Sequence, residues 1–190
     1  MKEVVLMRII SGLYKGRKLD GENITGTRPT MDRVKESLFA MIQDNIKNSI
    51  VLDLFAGSGS LGIEAISNGA SFCYFNDYNK KCTKVINENV KKLSIEENSK
   101  VLNLDYKEAL LYFKNKDIKF NIVFLDPPYK DREINNITDY IMNNDLLLDN
   151  GLIVIEVSKE YTGCVNTSIY KQRSFSDKQI IILKKWCWKK

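Results

Sequence analysis

The stretch Ile50-Val51-Leu52-Asp53-Leu54-Phe55-Ala56-Gly57-Ser58-Gly59-Ser60-Leu61-Gly62 decides the fold. Its first six residues are apolar save one carboxylate, the pattern of a strand buried on both faces. Glycines follow at once, and then the apolar-periodic residues Ile63, Ala65 and Ile66 run toward Gly69. Strand, glycine-rich turn and helix open a nucleotide-type βαβ unit. Gly57, Gly59 and Gly62 satisfy the G-x-G-x-x-G spacing, which alone is a weak signal.

Working outward, Phe72 to Phe75 reads as a second strand, ended by Asn76-Asp77, and Asp77 lies 20 residues past Gly57. An acid in this place hydrogen-bonds a ribose in such folds. Lys80 to Leu93 carries Val85, Ile86 and Val90 on one helical face. Val101 to Asp105 reads as a third strand, and about Lys107 to Lys114 as a helix. Phe120 to Leu125 is a fourth strand, stopped by Asp126-Pro127-Pro128-Tyr129, because two prolines cannot continue a ladder. A helix from about Ile134 to Asn144, with Leu146 to Leu148 packing its end, leads to a fifth strand, Gly151 to Val157. Ser168 to Arg173 and Gln179 to Trp186, turning at Ser176-Asp177-Lys178, form a terminal hairpin. Upstream, Arg8 to Leu19 reads as two short strands about a turn. Gly21 to Gly26 reads as a loop, and Thr30 is a candidate N-cap for a helix carrying Val34, Leu38, Met41 and Ile42 on one face. The expected fold is α/β: a mostly parallel seven-stranded sheet with an antiparallel strand near one edge, plus a small N-terminal hairpin and helix. Residues 1–48 read as a basic appendage and 49–190 as the main domain.

Asp53, Asp77, Asp105 and Asp126 each end, or nearly end, a successive strand. In a parallel sheet these ends share one edge, where open α/β sheets bind ligands. A single acid there is commonly a cap; four beside a glycine-rich loop point to a ligand crevice. Asp53 would repel a pyrophosphate but suits a ligand with a cationic amino-acid end. S-adenosylmethionine fits, with ribose hydroxyls for Asp77 and an adenine amino group for Asp105; Phe55, Gly57 and Gly59 complete the candidate cofactor residues. A nicotinamide-dependent oxidoreductase rests only on the glycine spacing.

The chain has 190 residues, no histidine and four cysteines without C-x-x-C pairing. That composition removes the commonest general base and argues against a metal site. Reduced thiols and the lack of a long apolar run or signal peptide read as a cytoplasmic protein. Arg8 to Lys35 has seven basic residues against three acidic, a net +4; Tyr170 to Lys190 has seven against one, +6; the span between has 14 against 19, −5. Two basic ends flanking an acidic core suit a polyanion if the fold brings them together. Otherwise they are solvated termini.

The run Asp53-Leu-Phe-Ala-Gly-Ser-Gly-Ser-Leu-Gly, followed by Asp126-Pro-Pro-Tyr, resembles S-adenosylmethionine-dependent methyltransferases acting on exocyclic amino groups of nucleobases. Three further stretches resemble the RsmD family of bacterial 16S rRNA guanine-N2 methyltransferases: Arg8-Ile-Ile-Ser-Gly-Leu-Tyr-Lys-Gly-Arg-Lys-Leu, Arg28-Pro-Thr-Met-Asp-Arg-Val-Lys-Glu-Ser-Leu-Phe and Leu61-Gly-Ile-Glu-Ala. The resemblance runs from Met7, which it implies is the usual start, to the terminal hairpin. Phe175-Ser176 departs from the family's Tyr-Gly pair.

The resemblance implies a class I methyltransferase fold, S-adenosyl-L-methionine as donor with S-adenosyl-L-homocysteine as product, and a monomer acting on 16S rRNA within a small-subunit assembly particle. Asp126, Pro127, Pro128 and Tyr129 become the catalytic residues, with Asp126 also beside the cofactor. Arg8, Lys15, Arg17, Lys18, Arg28, Arg33 and Lys178 become RNA contacts. Asp-Pro-Pro-Tyr does not itself distinguish guanine from adenine, so an adenine amino-methyltransferase of DNA or RNA stays open, as does a non-catalytic RNA-binding module. DNA enzymes of this class usually carry a target-recognition region, and no stretch here is long enough for one.

Overall fold

The computed structural model describes residues 7–21, 28–127, 132–161 and 169–186. The main sheet has seven strands: β3 (Ile50–Asp53), β4 (Phe72–Asn76), β5 (Ser99–Leu102), β6 (Phe120–Leu125), β7 (Leu147–Ser158), β8 (Ile169–Ser174) and β9 (Lys178–Lys184). Their order is β5-β4-β3-β6-β7-β9-β8. Only β9 runs against its neighbours, pairing antiparallel with both β7 and β8. The chain winds outward from β3 through β4 and β5, then returns to place β6 on the other side of β3. The order therefore reverses between β3 and β6, which is where a doubly wound sheet opens a crevice at its carboxyl edge.

Alternation along the strands sorts the core into two layers, since successive side chains point to opposite faces. On one face Val51, Phe75, Ile122, Phe124, Val154, Ile180 and Ile182 pack with α1 (Arg28–Ile46), α2 (Ser60–Ser67) and α3 (Lys80–Leu93). On the other Leu52, Val123, Leu125, Ile153, Ile155, Ile181 and Leu183 pack with α4 (Tyr106–Asn115) and α5 (Arg132–Asn143). The period-2 pattern explains why β6 and β7 read as unbroken apolar runs: both faces are covered.

The N-terminal piece joins the first layer. Ile9, Leu19, Leu38 and Ile42 belong to the same buried cluster as the sheet residues. Its strands are only two residues each, β1 (Met7–Arg8) and β2 (Lys18–Leu19), shorter than the hairpin read from residues 8–19. The reason is chemical. The amides of Ile10 and Ser11 donate to the Glu64 carboxylate instead of to a facing strand.

Three other boundaries differ from the sequence reading. Thr30 lies inside α1, which begins at Arg28; Pro29 is tolerated there because first-turn amides have no intrahelical acceptor. Leu147 and Leu148 belong to β7, not to a helix end, because Leu147 pairs with Phe120 ahead of a register shift. β5 stops at Leu102, three residues before Asp105, because Asp105 starts α4. Of the described helices, none is long and apolar enough to cross a membrane.

Candidate active site

At the switch point Asp53 closes β3 beside Phe124 of β6. Its side chain is buried, and Oδ2 accepts the Gly62 amide at 3.0 Å. Asp77 follows β4; Oδ2 accepts the Gly57 amide at 2.9 Å and Oδ1 that of Asn79 at 2.9 Å. The two acids thus hold opposite ends of the glycine loop by its backbone. Gly57 has φ +55°, and a Cβ built on it meets no atom within 4 Å. Gly62 is the reverse case: a Cβ there would sit 2.3 Å from the Phe75 ring and 2.6 Å from Cys73 Sγ. One glycine leaves open space above a left-handed turn, and the other lets helix α2 lie against β4. Those are the two separate tasks of glycine in a nucleotide-binding turn.

The open space over Gly57, between two carboxylates, fits a ligand with a cationic end and ribose hydroxyls. S-adenosylmethionine has both. Asp53 and the Gly57 backbone would face its methionine end and Asp77 its ribose. Phe55, half-buried, sets its ring 5.6 Å from that of Tyr106 at the start of α4, and Gly59 ends the loop as the residue before α2. Gly57→Ala is expected to weaken binding of S-adenosylhomocysteine by about tenfold or more, because its methyl both enters the ligand's space and strains a left-handed backbone. Calorimetric titration reads this directly; affinity within twofold of wild type would contradict it.

Asp105, the candidate adenine contact, also caps α4. It is exposed, its side chain accepts the Lys107 amide at 2.9 Å, and Glu108 reaches back to the Asp105 amide, a complete capping box. Two polar residues that the sequence reading passed over do more to shape this edge. The Asn76 amide donates to Leu54 O and Leu104 O, tying the ends of three strands together. The Asn103 amide donates to Asp77 O at 2.8 Å and Tyr78 O at 2.9 Å, bracing the turn that carries Asp77.

Asp126 stands one residue beyond β6; it is exposed to solvent, yet enough protein surrounds its carboxyl to desolvate it. Pro127 follows it, half-buried; Pro128 and Tyr129 lie outside the described residues. The next strand, β7, pairs in register through Leu125 and Ile155, so Glu156 is the lateral neighbour of Asp126. Glu156 in turn forms an ion pair with Lys178 of β9. Neither the charge of Glu156 nor its place was singled out from sequence, although it interrupts an apolar strand just as Asp53 does.

Desolvation, with neighbouring carboxylates adding to it, raises both central acids. Burial raises Asp53 to about 7, opposed by the Gly62 amide and reinforced by Asp77. Burial also raises Asp126 to about 7, with Glu156 and Asp53 adding to the shift and Lys178 opposing it. A carboxyl whose pKa is higher folded than unfolded binds its proton more tightly in the native state, so folding stability falls as pH rises from the ordinary carboxyl range to about 7. The ligand-free protein is expected to melt at a lower temperature at pH 7.5 than at pH 5.5. Saturating S-adenosylmethionine should shrink that difference, because its ammonium favours ionised Asp53. Melting curves with an opposite slope would contradict this assignment.

Of the residues expected to meet RNA, Lys15, Arg17, Lys18 and Arg33 are exposed. Arg8 pairs with Asp32 at 2.9 Å, and Lys178, partly exposed, forms an ion pair with Glu156 of β7. The side chain of Arg28 lies outside the description. Lys171 of β8 donates to the Met41 carbonyl of α1 at 2.6 Å, so the basic tail and the basic N-terminal helix adjoin.

The family model described as Conserved hypothetical protein 95 matches residues 7–184. The chain belongs to this family, the RsmD family. Among RsmD-family relatives, YlbH from Bacillus subtilis is 38% identical over 183 residues, covering 88% of this chain and 100% of that one. Ribosomal RNA small subunit methyltransferase D of Haemophilus influenzae is 39% identical over 155 residues, covering 81% and 80%. The solved structure of yhhF from Escherichia coli superposes with a TM-score of 0.81 at 28% identity, covering 95% of this chain and 98% of that one. This likeness to a solved methyltransferase extends over the mostly parallel seven-stranded α/β fold of the chain.

Proposed function

We propose that this protein methylates the exocyclic N2 amino group of a guanine in 16S ribosomal RNA, with S-adenosyl-L-methionine as donor. The observation that carries the reading is the joint placement, at one switch point, of an open glycine turn flanked by Asp53 and Asp77 and of Asp126-Pro127 ending the adjacent strand. The donor supplies an electrophilic methyl on a sulfonium. Everything else falls to the chain. An exocyclic amine is a poor nucleophile because its lone pair is conjugated with the ring. Ionised Asp126 and the Pro127 carbonyl accept its two N–H bonds and turn the lone pair toward the methyl. As the N–C bond forms, the C–S bond breaks and the nitrogen becomes cationic. Asp126 stabilises that charge, and once neutral S-adenosylhomocysteine has been released the surplus proton passes to solvent water, so no histidine is needed. Tyr129 stacks on the extruded base.

The relatives' names support an RNA acceptor. The exposed cations Lys15, Arg17, Lys18 and Arg33, with Arg8 and Arg28, contact phosphate. The protein acts in the cytoplasm, as a monomer, on a small-subunit assembly particle and without a metal. Residues 1–48 serve as its RNA-facing part and 49–190 as the methyltransferase unit. The test is transfer of labelled methyl onto naked small-subunit rRNA, assembled small subunits and DNA. Label in RNA or subunits but not DNA is expected; label in DNA alone would overturn the proposal.

A further inference from the structure

Glu156 and Lys178 have no part in holding the donor or turning the amine, yet they occupy the crevice. A structural ion pair would explain them if they lay elsewhere on the sheet rim. Here the pair adds a second carboxylate directly beside Asp126, at a cost in electrostatic repulsion that an apolar residue in β7 would avoid. The Glu156 side chain is 12% exposed and that of Lys178 41%. Burial works against the Lys178 charge, and Glu156, followed by Asp126, more than offsets it, so the ammonium holds its proton above the usual lysine range. The group is thus a permanent donor next to an acceptor.

Register fixes how the three side chains line up. Asp126 follows Leu125, which pairs with Ile155; Glu156 pairs with Ile180, and Lys178 with Ser158. Phe124, Val154, Ile180 and Ile182 all point to the α1 face. By the two-residue period Asp126, Glu156 and Lys178 point there too. Read across β6, β7 and β9, the crevice therefore presents acceptor, acceptor, donor. The pairing edge of guanine presents, in the same linear order, the N2 amino donor, the N1–H donor and the O6 acceptor. Adenine offers its amino group next to the N1 acceptor, which would face the Glu156 carboxylate with no proton between them.

We propose that Glu156 and Lys178 are the base-reading residues of this site, Glu156 accepting guanine N1–H and Lys178 donating to O6 while Asp126 holds the N2 amine. The inference rests on the proposed guanine-N2 activity. It turns Lys178 from a phosphate contact into a base contact, and their mutual ion pair into the resting state that the base replaces.

The decisive substrate is 2,6-diaminopurine, which keeps the N2 amine but exchanges the N1–H for an acceptor and O6 for an amino donor. Once the methylated position has been mapped on small subunits, particles are prepared with guanine or 2,6-diaminopurine there. Wild type is expected to prefer guanine by about a hundredfold in kcat/KM. Glutamine at either position can donate or accept by turning its amide. Glu156→Gln and Lys178→Gln should therefore each reduce the preference to about tenfold or less. Affinity for S-adenosylhomocysteine and the melting temperature, measured alongside, establish that each variant is folded. A merely structural role would lower both substrates together and leave the ratio unchanged. Ratios within threefold of wild type in both variants, or a wild-type ratio near one, would overturn the inference while leaving guanine-N2 methylation intact. Absence of any N2-methylated guanine with wild type would instead overturn the proposed function, and this inference with it.

Discussion

Asp126→Ala is expected to lower methyl transfer by about a thousandfold, the scale seen when a group aimed at developing transition-state charge is removed. Binding of S-adenosylhomocysteine should stay within about tenfold of wild type, because Asp53, Asp77 and the Gly57 turn are untouched. The pH profile carries the same information. Burial and the charge of Glu156 raise Asp126 to about 7, and only the ionised carboxylate accepts the amine's N–H bonds. The rate should therefore fall with falling pH below about 7 and level off above it. Single-turnover rates across that range, for wild type and for Asp126→Asn, check the assignment. The asparagine variant should be slow and lack this inflection. A wild-type rate in Asp126→Ala would remove the residue from the mechanism.

The second large effect concerns stability. Glu64 is fully buried on α2. Its carboxylate accepts the amides of Ile10 and Ser11 and the Ser11 hydroxyl, at 2.7 to 3.0 Å, and pairs with Lys35 at 2.9 Å. One side chain thus joins the N-terminal loop, α1 and the glycine-loop helix. Glu64→Ala leaves a mostly buried ammonium and two amides without their acceptor, which is expected to cost about 3–5 kcal/mol. For a chain of this size that lowers the melting temperature by about 10 °C. Glu64→Gln keeps one acceptor oxygen and should lose less. Thermal denaturation with S-adenosylhomocysteine absent reads both. A shift under about 2 °C in the alanine variant would contradict the role given to this carboxylate.

The contrast between these two acids shows what a sequence displays and what it hides. Asp126 was conspicuous because local chemistry marks it: an apolar strand halted by two prolines has one strand end, and a parallel sheet gathers such ends. Strands alternating with helices likewise point to a mostly parallel sheet, but the order β5-β4-β3-β6-β7-β9-β8 depends on pairings between strands distant in sequence. Glu64 carries no such mark. Its partners at positions 10 and 11 lie more than 50 residues away, and no local period encodes that approach. Glu156 was hidden differently, since a charge inside an apolar strand has meaning only once the neighbouring strand is known. Asp105 was readable in part: Asp105 with Glu108 three residues on is a capping-box spacing, and the structure forms that box. Strand-end position and cap chemistry coincide there, whereas Asp53 and Asp77 bond the glycine loop.

On the proposed mechanism Asp126-Pro127 positions guanine N2 of small-subunit rRNA to take the donor methyl. Small subunits from cells lacking this protein, incubated with it and isotopically labelled S-adenosylmethionine, can be digested to nucleosides and resolved by mass spectrometry. Label in N2-methylguanosine, absent with Asp126→Ala, is the predicted result; label in N6-methyladenosine instead would contradict it.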